Sequence, residues 1–110
     1  MRILVYEDNL LWASRIVRSL TAFGHEPIAL KKPEVQGAPV AIVNLGSSAL
    51  EPLDLVPKLR ALGVRVIGHA GHKEKELLAL GAQAGCDIVA TNSEITYKIE
   101  ALIGRAISVA

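Results

Sequence analysis

The sequence predicts an α/β fold, with five parallel strands in one doubly wound sheet and helices on both faces. Three observations point there. Short aliphatic runs alternate with longer stretches of helical periodicity along the chain. The runs are nearly free of polar residues, as strands buried on both faces are. Of the 110 residues, 51% are hydrophobic and only 4% aromatic, so the core must be built from Val, Ile, Leu and Ala.

Ile3-Leu4-Val5-Tyr6 is the first run. From Leu10 to Phe23, Ala13, Ile16, Val17, Leu20 and Phe23 recur at helical spacing, with Arg15, Arg18 and Ser19 opposite. Asn9 suits the N-cap of that helix and Gly24 its end. Pro27 to Leu30 is a weaker strand, and its proline predicts an edge or a strand start. Lys31 to Pro39 holds Pro33, Gly37 and Pro39 and has room for one helical turn at most. Val40 to Leu45 is a strong third strand, followed by a Gly46-Ser47-Ser48 loop. Leu50 to Leu62 reads as helical, with Pro52 in its first turn. Pro57 removes a backbone donor and predicts a kink or a split, and Gly63 stops the helix. Val64 to Ile67 is the fourth strand. Lys73 to Gln83 is a helix that turns Leu77, Leu78 and Ala84 inward. Ile88-Val89-Ala90 is the fifth strand. Ile95, Ile99, Leu102, Ile103 and Ala106 mark one last helix, capped by Ser93, or by Thr91 with Glu94 three residues on. Right-handed crossovers put the helices on both faces. The result is a flavodoxin-like sheet of order 2-1-3-4-5 with a short or missing second helix. Ligands of such sheets bind beyond the carboxyl ends of the strands, here Glu7-Asp8, Asn44-Leu45-Gly46, His69-Ala70 and Thr91-Asn92.

Bulk properties narrow the function classes. Twelve Lys and Arg against eleven Asp and Glu give a net charge of +1. There is no basic run, so neither nucleic acid nor an anionic membrane is an expected partner. No apolar run approaches a membrane span, and Glu7-Asp8 interrupts the start before a signal-peptide core forms. The single cysteine, Cys86, excludes an internal disulfide framework and fits a reducing compartment. Without linker or repeat, residues 1–110 read as one domain, expected to be cytoplasmic. A composition rich in Ala, Leu and Gly is compatible with a thermophilic source.

Four segments resemble one family, the response-regulator receiver domains. Ile3-Leu-Val-Tyr-Glu-Asp-Asn9 resembles their first strand with its acidic pair, and Phe23-Gly-His-Glu26 their bridge into strand two. Val40-Ala-Ile-Val-Asn-Leu45 resembles strand three. Leu80-Gly-Ala-Gln-Ala-Gly-Cys-Asp87 resembles the end of the family's fourth helix. The resemblance spans nearly the whole chain and implies a CheY-like fold. It also implies a site in which an acidic pair and an aspartate hold Mg²⁺, the aspartate takes a phosphoryl group, and a hydroxyl and a lysine contact the phosphate. Glu7 and Asp8 keep the acidic pair. The phospho-accepting aspartate falls on Asn44, the hydroxyl residue on His69 and the lysine on Asn92. The following proline falls on Ser93, which makes a cis bond there an unexpected feature. The switch aromatic falls on Val89.

The chemistry of these replacements is the central expectation. A carboxamide is too poor a nucleophile to form an acyl phosphate. Asn44 also withdraws an anionic oxygen from any Mg²⁺, and Asn92 brings no cation to a phosphate. Asn44 is therefore read as a vestigial phosphoacceptor position, Glu7 and Asp8 as a vestigial acidic pocket, and His69, Asn92 and Val89 as its remodelled surroundings. The expected function is a pseudo-receiver in two-component-type signalling, with no enzymatic activity and no cofactor. With no effector domain attached, its output is expected to pass by contact with a protein partner or in a homodimer. Tyr97 and Lys98, on the surface such domains commonly offer to partners, form the expected interface.

Other signals carry alternatives. Glu7, Asp8 and His69, with His72 close in sequence, are a candidate set for weak Mg²⁺ or another divalent metal, and would make the site a sensor or weak enzyme. The plainer reading pairs His69 with Asp8 and leaves His72 solvated. Gly46-Ser47-Ser48 lacks the P-loop pattern and reads as a turn. Ser47 or Ser48 with His69 leaves a hydrolase as a minor reading. Cys86 is expected to be a buried filler. Trp12 is either packed or half-exposed, and Lys73-Glu74-Lys75-Glu76 is a solvated helix face.

Overall fold

A computed structural model describes residues 1–108 of the chain. Its strands are β1 (Arg2–Tyr6), β2 (Glu26–Leu30), β3 (Val40–Asn44), β4 (Arg65–Ala70) and β5 (Ile88–Thr91). All neighbours pair in parallel, in the expected order β2-β1-β3-β4-β5. The helices are α1 (Leu10–Ala22), α2 (Pro52–Ala61), α3 (Lys75–Ala84), α4 (Asn92–Tyr97) and α5 (Ile99–Ser108). Among the described residues, no helix is long and apolar enough to cross a membrane.

Alternation along the strands divides the core into two layers. Ile3, Val5, Val40, Ile42 and Ile67 meet Ile16 and Leu20 of α1, Ile95 of α4, and Leu102 and Ile103 of α5. Leu4, Tyr6, Ala41, Val43 and Val66 meet Leu50 and the Leu55, Val56 and Leu59 face of α2. The central strands are thus aliphatic on both sides, which is why they read as unbroken apolar runs. Proline does stand in the edge strand, as Pro27 of β2 opposite Ile3. The segment 31–39 forms no helix. The Tyr6 hydroxyl crosses to it, donating to the Glu34 carbonyl at 2.5 Å, while Ala38, Ile28 and Leu30 pack against the second layer.

Five local expectations need correction. Pro57 does not split its helix: α2 runs unbroken from Pro52 to Ala61. Pro57 lies on the solvent side, where water can satisfy the carbonyl it leaves unpaired. A single 3₁₀ turn, Ser48–Leu50, precedes α2, and Glu51 joins the two at a left-handed φ of 47°. The last helix is two helices, broken at Lys98 (φ −131°), and Thr91 rather than Ser93 caps the first with a reciprocal Glu94 bond. Phe23 is exposed because α1 ends one residue earlier. In α3, Leu77, Leu78 and Ala84 are only half-buried and Gly81 is the buried residue. A Cβ on Gly81 would lie 2.5 Å from Leu45 Cδ1, so α3 approaches the sheet through a glycine and Leu45 fills the space its own leucines leave.

Candidate functional site

The carboxyl ends of β1, β3 and β4 bring three of the predicted residues together. Glu7 follows β1, Asn44 ends β3 and His69 lies in β4, directly opposite Asn44 in register. Glu7 and His69 are each 1% exposed. The Asn44 carboxamide nitrogen donates to both Glu7 carboxylate oxygens, at 3.1 and 2.9 Å. The Asn9 backbone N–H adds a third bond, to Glu7 Oε2 at 3.2 Å. Asn44 Oδ1 is engaged as well, accepting from the Gly46 N–H at 2.9 Å. Asn44 therefore spends both ends of its amide inside the site, where an aspartate would present a second anion to Glu7.

His69 closes the other side. Its Nδ1 is 2.7 Å from Asn92 Oδ1, which ties β4 to the first residue of α4. Nε2 is buried without a hydrogen-bond partner and stands 3.9 Å from Glu7 Oε1. Burial holds the His69 pKa below its ordinary value, against the smaller opposing effects of the Asn92 bond and the Glu7 charge. The ring is therefore neutral at pH 7. With Asn92 Oδ1 as acceptor, its proton sits on Nδ1 and Nε2 is a bare lone pair.

Not every predicted residue joins. Asp8 is exposed, so the expected His69–Asp8 pairing is replaced by Asn92 and the nearby Glu7. His72 is exposed on the loop before α3. Val89 is exposed between the buried Ile88 and Ala90, on the outer side of edge strand β5. Tyr97 and Lys98 lie exposed at the α4–α5 break. Ser47 Oγ and His69 Nε2 are both buried without hydrogen-bond partners, so no serine–histidine pair is assembled and the hydrolase reading loses its geometry. Trp12 is half-buried, with the Arg15 guanidinium 5.4 Å from its ring centroid. Cys86 packs against the second core layer, and burial pushes its thiol up to about 12.

These residues do not fit a Mg²⁺ ion. Among the described residues, no three His, Cys, Asp or Glu side chains are grouped to hold a metal. The one buried carboxylate of the site is met by amide donors, and the Asn44 oxygen already accepts a backbone N–H. Sequence reading found Glu7, Asn44, His69 and Asn92. It missed the Asn9 and Gly46 backbone donors, which have no side-chain signature.

No family model matches the sequence and no curated protein is detectably similar to it. Solved structures are. A response regulator receiver domain protein from Clostridium thermocellum superposes with a TM-score of 0.82 at 18% identity, covering 96% of this chain and 93% of the other. A two-component response regulator from Clostridium difficile gives 0.79 at 15% identity over 98% of both chains. A CheY-like receiver domain protein from Methanospirillum hungatei gives 0.75 at 19% identity, over 96% and 94%. The fold is that of response-regulator receiver domains.

Proposed function

We propose that this chain is a receiver-fold signalling module that accepts no phosphoryl group and acts through contact with a protein. The observation that carries the reading is Asn44. It stands at the end of β3, where the resemblance places the phospho-accepting aspartate, and its amide is consumed by Glu7 and the Gly46 N–H. A neutral amide neither attacks phosphorus nor assists a metal in drawing a phosphate in. Asn92 in place of a lysine leaves the site no cation for a phosphate, and exposed Val89 supplies no aromatic to couple the site to the outer face. Intact-mass measurement after incubation with acetyl phosphate and Mg²⁺ tests this. The expected result is an unchanged mass, and a stoichiometric phospho-adduct lost in Asn44→Ala would overturn the reading. A second reading, a divalent metal or small-ligand sensor, draws on the buried, bare Nε2 of His69 beside Glu7. It has two protein donors to work with, and titration with Mn²⁺ and Zn²⁺ under the same conditions separates it from the first.

A further inference from the structure

One surface groove gathers two exposed aromatics and one charge of each sign. It lies between the end of α1 and the α4–α5 break, encloses about 390 Å³, and is lined by Ser19, Phe23, Tyr97, Lys98 and Glu100 among others. Tyr97 is 82% exposed and Phe23 54%. The chain's other two aromatics are held within the molecule, Tyr6 in the core and Trp12 half-buried on α1. Aromatic side chains that share an open groove offer large apolar area to whatever covers them, and such residues carry much of the binding energy at protein interfaces.

Among the described residues, Lys98 and Glu100 are the charged side chains that line this groove. They stand two residues apart across the helix break and form no ion pair with each other, as residues at that spacing do not face one another. Lys98 is exposed and has no carboxylate partner among the described residues. Glu100 Oε1 is 2.8 Å from His25 Nε2, which fixes the carboxylate at the groove while its side chain stays 43% exposed. Glu94 lies one turn before Lys98 but outside the groove lining, with Oε1 accepting the Thr91 N–H at 3.0 Å. A partner with charge of one sign would meet one of the two groove charges and oppose the other. A second copy turned by a two-fold axis through the groove satisfies both, because each Lys98 then faces the other copy's Glu100. With a net charge of +1, two copies also approach without strong long-range repulsion.

We propose that this groove is a two-fold contact between two copies of the chain. Tyr97 of each copy packs on Phe23 of the other, and each Lys98 pairs with the other copy's Glu100. The proposal rests on the reading of the chain as a binding module and names a second copy as its partner. A contact built on one groove is small, so dissociation is expected at roughly 10–100 μM.

The test is sedimentation equilibrium of the full chain, from about 10 μM to about 1 mM. The expected result is a monomer–dimer equilibrium that stops at the dimer mass. Tyr97→Ala and Lys98→Glu, both at exposed positions, each weaken it by more than about tenfold with an unchanged thermal midpoint. Glu100→Lys weakens it as well, by setting two lysines against each other. The distinctive outcome is rescue: Lys98→Glu mixed with Glu100→Lys forms a heterodimer, and the two substitutions in one chain restore self-association. Should Glu100→Lys lower the thermal midpoint through loss of the His25 bond, Glu100→Gln, which keeps an acceptor for His25, replaces it and is expected to weaken the dimer too. A chain that stays monomeric throughout, growth beyond the dimer, indifference to Tyr97→Ala and Lys98→Glu, or no rescue between folded charge variants would overturn the proposal. No phosphate analogue is present, so those failures leave the reading of Asn44 standing. Dimers that appear only with Mg²⁺ and beryllofluoride would overturn both.

Discussion

Two buried acids stand at opposite ends of this sheet, and they are neutralised in different ways. At the amino ends of the strands, Asp87 precedes β5 with its side chain 1% exposed. Arg60 pairs with it at close range, Arg65 Nη1 lies 3.6 Å away, and the Val66 N–H donates at 2.7 Å. At the carboxyl ends, Glu7 is as deeply buried but has no cation against it. It has two amide donors, from Asn44 and Asn9, and a neutral imidazole at 3.9 Å. Asp87 is a brace: full charges and a backbone bond fasten α2, β4 and β5 together. Glu7 is instead met only by dipoles, which hold its carboxylate without an opposing charge. Equal burial thus hides two different electrostatic environments, and the kind of neighbour tells them apart.

The largest effect is expected at the brace. Asp87→Ala leaves the Val66 N–H without its acceptor and two arginines without their carboxylate, Arg60 keeping only the Gly85 carbonyl. The expected cost is roughly 2–3 kcal/mol, read as a lower urea midpoint with an unchanged slope. A cost near zero would mean that Asp87 does not brace these elements.

Asn44→Asp attacks the other end. It replaces the donor to Glu7 by a second carboxylate, so like charges meet at hydrogen-bond distance and disfavour ionisation in the folded state. A folded pKa raised above the unfolded one gives stability at low pH that is lost as pH rises. The variant should therefore be less stable than the parent at pH 7 by roughly 1–3 kcal/mol, and the gap should close on acidification. Urea melts at pH 4 and pH 7 check it. A gap that does not change with pH would mean that Asn44 does not hold Glu7 by donation.

His69 predicts a smaller, pH-dependent effect. Its folded pKa is depressed by burial below the ordinary 6.5. The unfolded chain binds the proton more readily, so the contribution of neutral His69 is complete above 6.5 and is lost as pH falls below that value. His69→Gln should flatten the decline in stability on the acid side, measured as thermal midpoint against pH. An unchanged slope would assign the decline elsewhere. The smallest effect belongs to Tyr6, whose hydroxyl holds the segment that replaces a helix. Tyr6→Phe should cost about 1 kcal/mol and speed proteolysis within residues 31–39 more than elsewhere.

The sheet was legible because its signal is redundant. Val40–Val43 is an unbroken aliphatic run and Val66 and Ile67 are buried on opposite faces of β4, the pattern of strands covered on both sides; the extension of β4 through His69 to Ala70 went beyond the Val64 to Ile67 run. The missing second helix was legible as well, from Pro33, Gly37 and Pro39. Helix interiors were less so. The inward face of α3 depends on how far Leu45 projects, a tertiary fact that places Gly81 where the periodicity placed leucines. The break at Lys98 interrupts an apolar spacing that continues without a gap through Ile95, Ile99 and Leu102. At the site, residue types located Glu7, Asn44, His69 and Asn92. The direction of each amide was beyond the sequence, because Asn44 has a donor end and an acceptor end and only the surrounding atoms choose between them.

Whether the strand-end site takes a phosphoryl group is read most directly by titrating Trp12 fluorescence with beryllofluoride in the presence of Mg²⁺. Trp12 lies on the first turn of α1, its backbone N–H bonded to Asn9, whose own N–H binds Glu7. It is thereby placed to sense occupation of the site. The expected result is a flat trace on a protein shown to be folded by its thermal transition. A saturable, Mg²⁺-dependent change in emission would contradict it, because it would mean that the site still binds a phosphoryl mimic with asparagine at position 44.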